Sequence, residues 1–225
     1  MLSSDVLAQR TNRSFTQGIP DEIEQMKMRI GQTSDPGERR RMETQLGIQE
    51  AHWGAIQETV PTSPNVTYSD TMTLVKGGRE VQLHFPGLGH TGGDTLVFLP
   101  EERIVFTGDF LVGSPEGSRL PYMGDGYVEE WPASLDRLRA LDFDVIVPGH
   151  GTPFRDRGQI DNLQSYLRDL NHQVAELYAR GVSPQEAVTQ VDLSAHVENY
   201  GPRVIQLDPR AVIRMYERLQ VKMPK

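Results

Sequence analysis

The chain has 225 residues, 37% hydrophobic and 24% charged, with a formal charge of −8 and no cysteine. This excludes a disulfide framework, a thiolate nucleophile and thiolate metal ligands, so any metal must be held by His, Asp or Glu. An acidic balance argues against a nucleic-acid partner, which wants a basic face, and no apolar run approaches the roughly 18–20 residues that cross a bilayer.

The start, Met1-Leu2-Ser3-Ser4-Asp5, has no basic stretch followed by an apolar one; no secretory leader is read there and a cytoplasmic location is expected. Ile23, Met26 and Ile30 recur at helical spacing over 21–32, after a start at Pro20-Asp21. Asp35-Pro36-Gly37 interrupts the pattern. A second helix fits 38–58, with Met42, Leu46, Trp53 and Ile56 on one face. Its Arg39-Arg40-Arg41 cluster reads as a solvated helix surface, and Pro61 and Pro64 mark the exit.

From there the period becomes strand-like. Residues 71–75 and 80–85 flank Gly77-Gly78, a hairpin signal. Val81, Leu83 and Phe85 share one face of the second strand; Gln82 and His84 share the other. Residues 94–99 and 103–107 form another pair around Pro100-Glu101-Glu102. Both are apolar on both sides, which requires two covering layers. A short helix at 129–141 turns Trp131, Leu135, Leu138 and Leu141 inward, and the strand Val145-Ile146-Val147 follows. The tail reads as a helix from Ile160 to Leu177 stopped by Gly181, a short helix opened by the Ser183-Pro184-Gln185-Glu186 capping box, and a last one after Asp208-Pro209.

Three strand ends carry chemistry. Gly89-His90-Thr91-Gly92-Gly93-Asp94, Thr107-Gly108-Asp109 and Pro148-Gly149-His150-Gly151 each place a metal-capable side chain beside glycines. Strands about 4.8 Å apart deliver such residues to a common edge. Imidazoles and carboxylates converging there could hold a divalent ion with a position left for water. Taken singly each motif is an ordinary turn; in this order, with a strand pair between the first two and a helix before the third, they point to a metal site. His84 reads as a surface residue. His52, His172 and His196 have no carboxylate partner placed by spacing. Asp94 fits a turn cap as well as an acceptor for His90. Tyr122 and Asp125 lie in a loop suited to lining a substrate pocket.

From Thr71 to Pro153, these motifs and the Tyr122-Met123-Gly124-Asp125-Gly126 linker resemble the C-terminal half of a metallo-β-lactamase-fold hydrolase, of the glyoxalase II-like and cyclase-like kind. The resemblance implies an α/β fold, an αββα sandwich, represented here mostly by its second sheet with its helices. It implies a dinuclear zinc centre with His90 on the first metal, Asp109 bridging both and positioning the water, and His150 on the second; iron or manganese suit the same ligand types. The implied reaction is hydrolysis of an ester, thioester, lactone or lactam of a small-molecule substrate by a metal-bound hydroxide. The whole of 1–225 would be one such domain: a helical segment 1–66, a β-rich metal-site half 67–155, and a helical part 156–225.

The superfamily's His-x-His-x-Asp-His loop is absent, since the only histidine before His84 is His52. The first sheet is therefore expected to be missing or incomplete, and the metal set depleted. Losing even outer partners of a metal site costs about 10–100-fold in affinity. Leaving about five Val, Leu or Phe side chains uncovered costs on the order of 8–15 kcal/mol, comparable to a domain's net stability. Two readings follow: a hydrolase impaired as an isolated chain, or a truncated, non-catalytic family member. Either needs the sheet covered by the N-terminal helices, by a second copy, or by a complementing chain.

Overall fold

The computed structural model describes residues 18–57, 64–202 and 207–222. Met1–Asp5 and Pro61, used above, lie outside them. The chain divides into two compact units, Met1–Thr67 and Tyr68–Lys225.

The first unit is a helix pair, α1 (Ile19–Gln32) and α2 (Pro36–Gln57). Pro20, Asp21 and Glu22 fall in the first turn of α1 and Arg29 in its last, the distribution that suits a helix dipole. Asp35 Oδ1 accepts the Gly37 and Glu38 N–H groups at 2.6 and 3.2 Å, capping α2. Met42, Leu46, Trp53 and Ile56 form a half-buried stripe, while Arg39, Arg40 and Arg41 are exposed as expected.

The second unit is built on a five-stranded sheet. Its strands are β1 (Thr71–Lys76), β2 (Arg79–His84), β3 (Leu96–Leu99), β4 (Ile104–Gly108) and, after a crossover, β7 (Val145–Pro148); the order is β1-β2-β3-β4-β7. The first four are antiparallel neighbours; β4 and β7 are parallel. Gly77 and Gly78 both take positive φ, the two-residue turn that their sequence called for. A two-residue hairpin, β5 (Gly113–Ser114) and β6 (Gly117–Ser118), and helix α3 (Trp131–Arg139) fill the crossover. Arg103 pins β7 beside β4: its side chain ion-pairs Asp142 and Asp144, and its carbonyl accepts the Asp144 and Val145 N–H groups. The tail is helical: α4 (Gly158–Ala179), α5 (Pro184–Gln190), α6 (Val197–Tyr200) after a 3-10 turn at Ser194–His196, and α7 (Pro209–Lys222).

The two sides of the sheet differ sharply. Leu96, Phe98, Val105 and Ile146 are buried in one core with Trp131, Leu135 and Leu138 of α3 and with the apolar face of α4. On the opposite side Leu83, Val97 and Val147 are only half-buried, and Leu74 and Phe106 are exposed. The expected second covering layer is therefore incomplete among the described residues.

Three histidine readings are corrected here. His84 is half-buried rather than fully exposed: register pairs it with Leu96 on the core side, its ring leans on Phe98, and Nε2 meets Gln82 Oε1 at 2.9 Å. His196 does have a carboxylate partner; it is buried and its Nε2 lies 3.0 Å from Asp169 Oδ2. His172 similarly faces Glu176 at 3.5 Å.

Candidate functional site

The three motif residues sit where β2, β4 and β7 run out. Thr107, buried, donates its hydroxyl to the Leu111 carbonyl at 2.8 Å and fixes the turn that carries Asp109. Gly149 lies against Asp109: a Cβ there would collide with Asp109 Oδ1 and the Gly108 carbonyl carbon. Gly151, at φ +113, leaves room for the Gly113 carbonyl in the same way. His150 is held through its backbone, its carbonyl accepting Gly113 N–H at 3.2 Å.

The structure brings His90, Asp109 and His150 together. His90 Nε2 stands 4.0 Å and His150 Nε2 3.5 Å from the same oxygen, Asp109 Oδ2. The side chains are 18%, 32% and 77% exposed in the order His90, Asp109, His150, so the cluster runs from a protected end to an open rim.

The loop bearing His90 is closed by Asp94. That carboxylate accepts both the N–H (2.9 Å) and the hydroxyl (2.6 Å) of Thr91, so it is a turn cap. Its distance of 4.0 Å to His90 Nδ1 is too long for a hydrogen bond. Burial pushes the Asp94 carboxyl above its ordinary range, against the pull of the Thr91 donors.

Further supports of this loop were not legible beforehand. Tyr127 N–H donates to the Gly89 carbonyl at 2.7 Å and Ser134 Oγ to the Leu88 carbonyl at 2.7 Å. The Trp131 ring stands edge-on to His90, centroids 6.0 Å apart. Trp131 carried only a helical-face signal, and Tyr127 no signal at all. Behind Tyr127 lies α7: the Arg218 guanidinium sits 4.3 Å and that of Arg214 5.8 Å from its ring, and Arg210 sits 4.7 Å from the ring of Tyr122.

Tyr122 lines a cavity of about 610 Å³. Asp125 is exposed and does not line it.

The spacing at Asp109 can be tested against a metal. A tetrahedral cation with His and Asp ligands at about 2.0–2.2 Å separates N from O by roughly 3.4 Å. The His150–Asp109 pair, at 3.5 Å, matches that value, whereas the His90–Asp109 pair, at 4.0 Å, is wider than it. Yet each position would then have two protein ligands, one shared, where a catalytic tetrahedral site uses three. Among the described residues no group of three or more His, Asp or Glu side chains could hold a metal ion. The two facts agree: these are two pairs hinged on one carboxylate, and they do not complete a metal centre.

A sequence model of the metallo-beta-lactamase superfamily matches residues 20–150. A linear primary-alkylsulfatase from Pseudomonas sp. is 28% identical over 208 residues, which is 89% of this chain and 35% of that protein. A metallo-beta-lactamase type 2 from Bacillus sp. is 38% identical over 84 residues, 36% of this chain and 32% of that one. The chain spans about a third of the length of these curated relatives. A solved metallo-beta-lactamase from Pontibacter korlensis aligns at 29% identity over 51% of this chain and 53% of its own, with a TM-score of 0.43; so loose a superposition adds no weight. On the extent of the sequence match, with its strand-end motifs on one sheet rim, the chain belongs to the metallo-beta-lactamase superfamily.

Proposed function

We propose that this chain carries part of the site of a metal-dependent hydrolase acting on an ester, thioester, lactone or lactam. His90, Asp109 and His150 are its contribution to two cation positions, with Asp109 common to both. The observation that carries the reading is the approach of both Nε2 atoms to a single carboxylate oxygen. Similarity to an alkylsulfatase along most of the chain supports the ester within that set, and similarity to beta-lactamases over a shorter stretch supports the lactam. In such a site a divalent ion, zinc by family habit, supplies an activated water and polarises the scissile group. The residues present here orient: Asp94 and Tyr127 hold the His90 loop, Trp131 packs the imidazole edge, and Gly149 lets Asp109 reach both rings. The remaining ligands would come from polypeptide outside the described residues or from another chain, and Tyr122 and Asp125 would border the substrate.

Zinc titration of the purified chain, followed by equilibrium dialysis, tests this. Asp109→Asn removes the shared ligand and should weaken zinc uptake more than about a hundredfold, beyond the roughly 10–100-fold expected for outer partners. His172→Gln, on the exposed face of α4, should change nothing. Equal uptake by wild type and Asp109→Asn would overturn the assignment.

One observation favours a second reading. The half-buried Leu83, Val97 and Val147 and the exposed Leu74 and Phe106 on one side of the sheet suit a member that folds by self-association or on a complementing chain and retains the cluster without turnover. Turnover of a chromogenic ester by a monodisperse monomer would refute it.

A further inference from the structure

β1 stands at one end of the sheet order, and all of its residues but the half-buried Met72 are exposed. Backbone pairing fixes which of its groups face outward. Phe85 N–H donates to the Asp70 carbonyl at 2.8 Å, and the register that pairs Thr71 with His84 sets Asp70 opposite Phe85. Hydrogen-bonded pairs alternate along an antiparallel ladder, so Met72, Leu74 and Lys76 also bond to β2. Thr71, Thr73 and Val75 therefore turn their N–H and C=O groups away from it, and no described strand takes them up. The other end of the sheet is blunted: Ile146 of β7 exchanges both backbone hydrogen bonds with Phe154, at 2.8 and 3.0 Å. Edge strands are commonly protected by a charge, a proline or a bulge. Thr71–Lys76 has an unbroken register and no charge or proline before its last residue.

A second copy can pair with this edge in few ways. A twofold axis that relates two identical antiparallel strands must stand normal to the sheet, so odd-numbered residues meet odd and even meet even. The outward groups of Thr71, Thr73 and Val75 satisfy that condition. With Thr73 opposite its own copy, Thr71 meets Val75 of the second copy, Met72 meets Leu74, and Asp70 meets Lys76. Every outward N–H and C=O then has a partner. The even-numbered pairs are of the non-hydrogen-bonded kind, whose Cα atoms come within about 4.5 Å and whose side chains lie closest. Threonine, β-branched, apolar and opposite-charge pairs are the kinds that stabilise a ladder. Centring on Met72 instead sets Asp70 against Leu74, and centring on Leu74 sets Lys76 against Met72.

We propose that the outer edge of β1 is a self-association surface, on which two copies pair residues 70–76 antiparallel about Thr73 and continue the sheet across a twofold axis. The charge pairs between Asp70 and Lys76 select the register. The contact is independent of the hydrolase reading, and it uses the rim of the sheet rather than its open apolar side.

Sedimentation velocity of the full chain over a concentration series reads the association, with circular dichroism to show that each variant is folded. Wild type should form a dimer. Asp70→Lys sets like charges opposite each other on both sides of the axis and should weaken the dimer about tenfold or more. The double swap Asp70→Lys, Lys76→Asp restores opposite charges and should return it to within about threefold of wild type. Thr73→Pro removes an outward N–H, where an edge strand tolerates proline, and should abolish the dimer. If that variant does not fold, the charge swap and a disulfide carry the comparison. The chain has no cysteine, so Met72→Cys and Leu74→Cys, mixed and oxidised, should give a cross-linked dimer. Either alone should not, because like positions stand diagonally at roughly 7–8 Å, beyond the roughly 6.8 Å that a disulfide spans between Cα atoms. A monomeric wild type, a double swap that restores nothing, or a dimer lost only in Leu83→Lys, Phe106→Lys would overturn the proposal.

Discussion

At Gly149 the candidate site depends on an absent atom. The residue needs no unusual φ; what it needs is space, because Asp109 Oδ1 and the Gly108 carbonyl carbon occupy the volume a side chain would take. Gly149→Ala should displace the Asp109 carboxylate and destabilise the fold by about 1–3 kcal/mol, the usual cost of overpacking. Thermal unfolding would show the loss, and the ring protons of His90 and His150 would shift as the shared carboxylate moves. An unchanged spectrum would mean that Asp109 is not held where both imidazoles meet it. Much of this scale was legible. Glycine beside His or Asp at three strand ends announces a close approach, and the three side chains do converge. Tyr127 and Ser134 were not legible, because their support runs through a backbone carbonyl and a lone hydroxyl, neither of which leaves a spacing pattern.

The strands show why a pattern can give an element yet hide its orientation. The hairpin at Gly77-Gly78 and the two-sided apolar runs of β3 and β4 were plain in the sequence. Which side of the sheet faces the core was not, because apolar residues occupy both. On β2 the outcome reverses intuition: Gln82 and His84 turn to the core side and Leu83 to the open one. The cost falls on His84. Burial lowers its pKa below 6.5, with Asp70 opposing. The folded state therefore favours the neutral ring. That stability is present in full above about pH 6.5, the unfolded value, and is lost as pH falls through the lower folded value. Urea midpoints should drop between pH 7.5 and 5.0 in the wild type, and the drop should shrink in His84→Gln. An undiminished drop would place the acid sensitivity elsewhere. The short α6 and the His196–Asp169 pair escaped the sequence for a different reason: one is too brief for a period, and the other joins residues 27 apart.

Among the described residues of Tyr68–Lys225, one side of the sheet is buried and the other carries apolar side chains that are half-buried or exposed. Apolar patches beyond a few hundred Å² are rare on monomers and mark association or aggregation. The double variant Leu83→Lys, Phe106→Lys should raise the concentration at which the chain associates in light scattering. It should move the melting temperature by no more than about 2–4 °C, the equivalent of 1 kcal/mol at this size. A fall well beyond that would mean that the chain's own polypeptide already packs on those residues. The expectation of a depleted sandwich came from a missing motif, and the half-buried positions of Leu83, Val97 and Val147 are its physical counterpart.

Three arginines one turn apart on α7 press against Tyr122 and Tyr127, and Tyr127 in turn holds the carbonyl that precedes His90. The far end of the polypeptide thereby buttresses a loop more than a hundred positions away through stacked rings rather than through continuous chain. Shortening the tail would slacken that imidazole without removing a single atom that touches it.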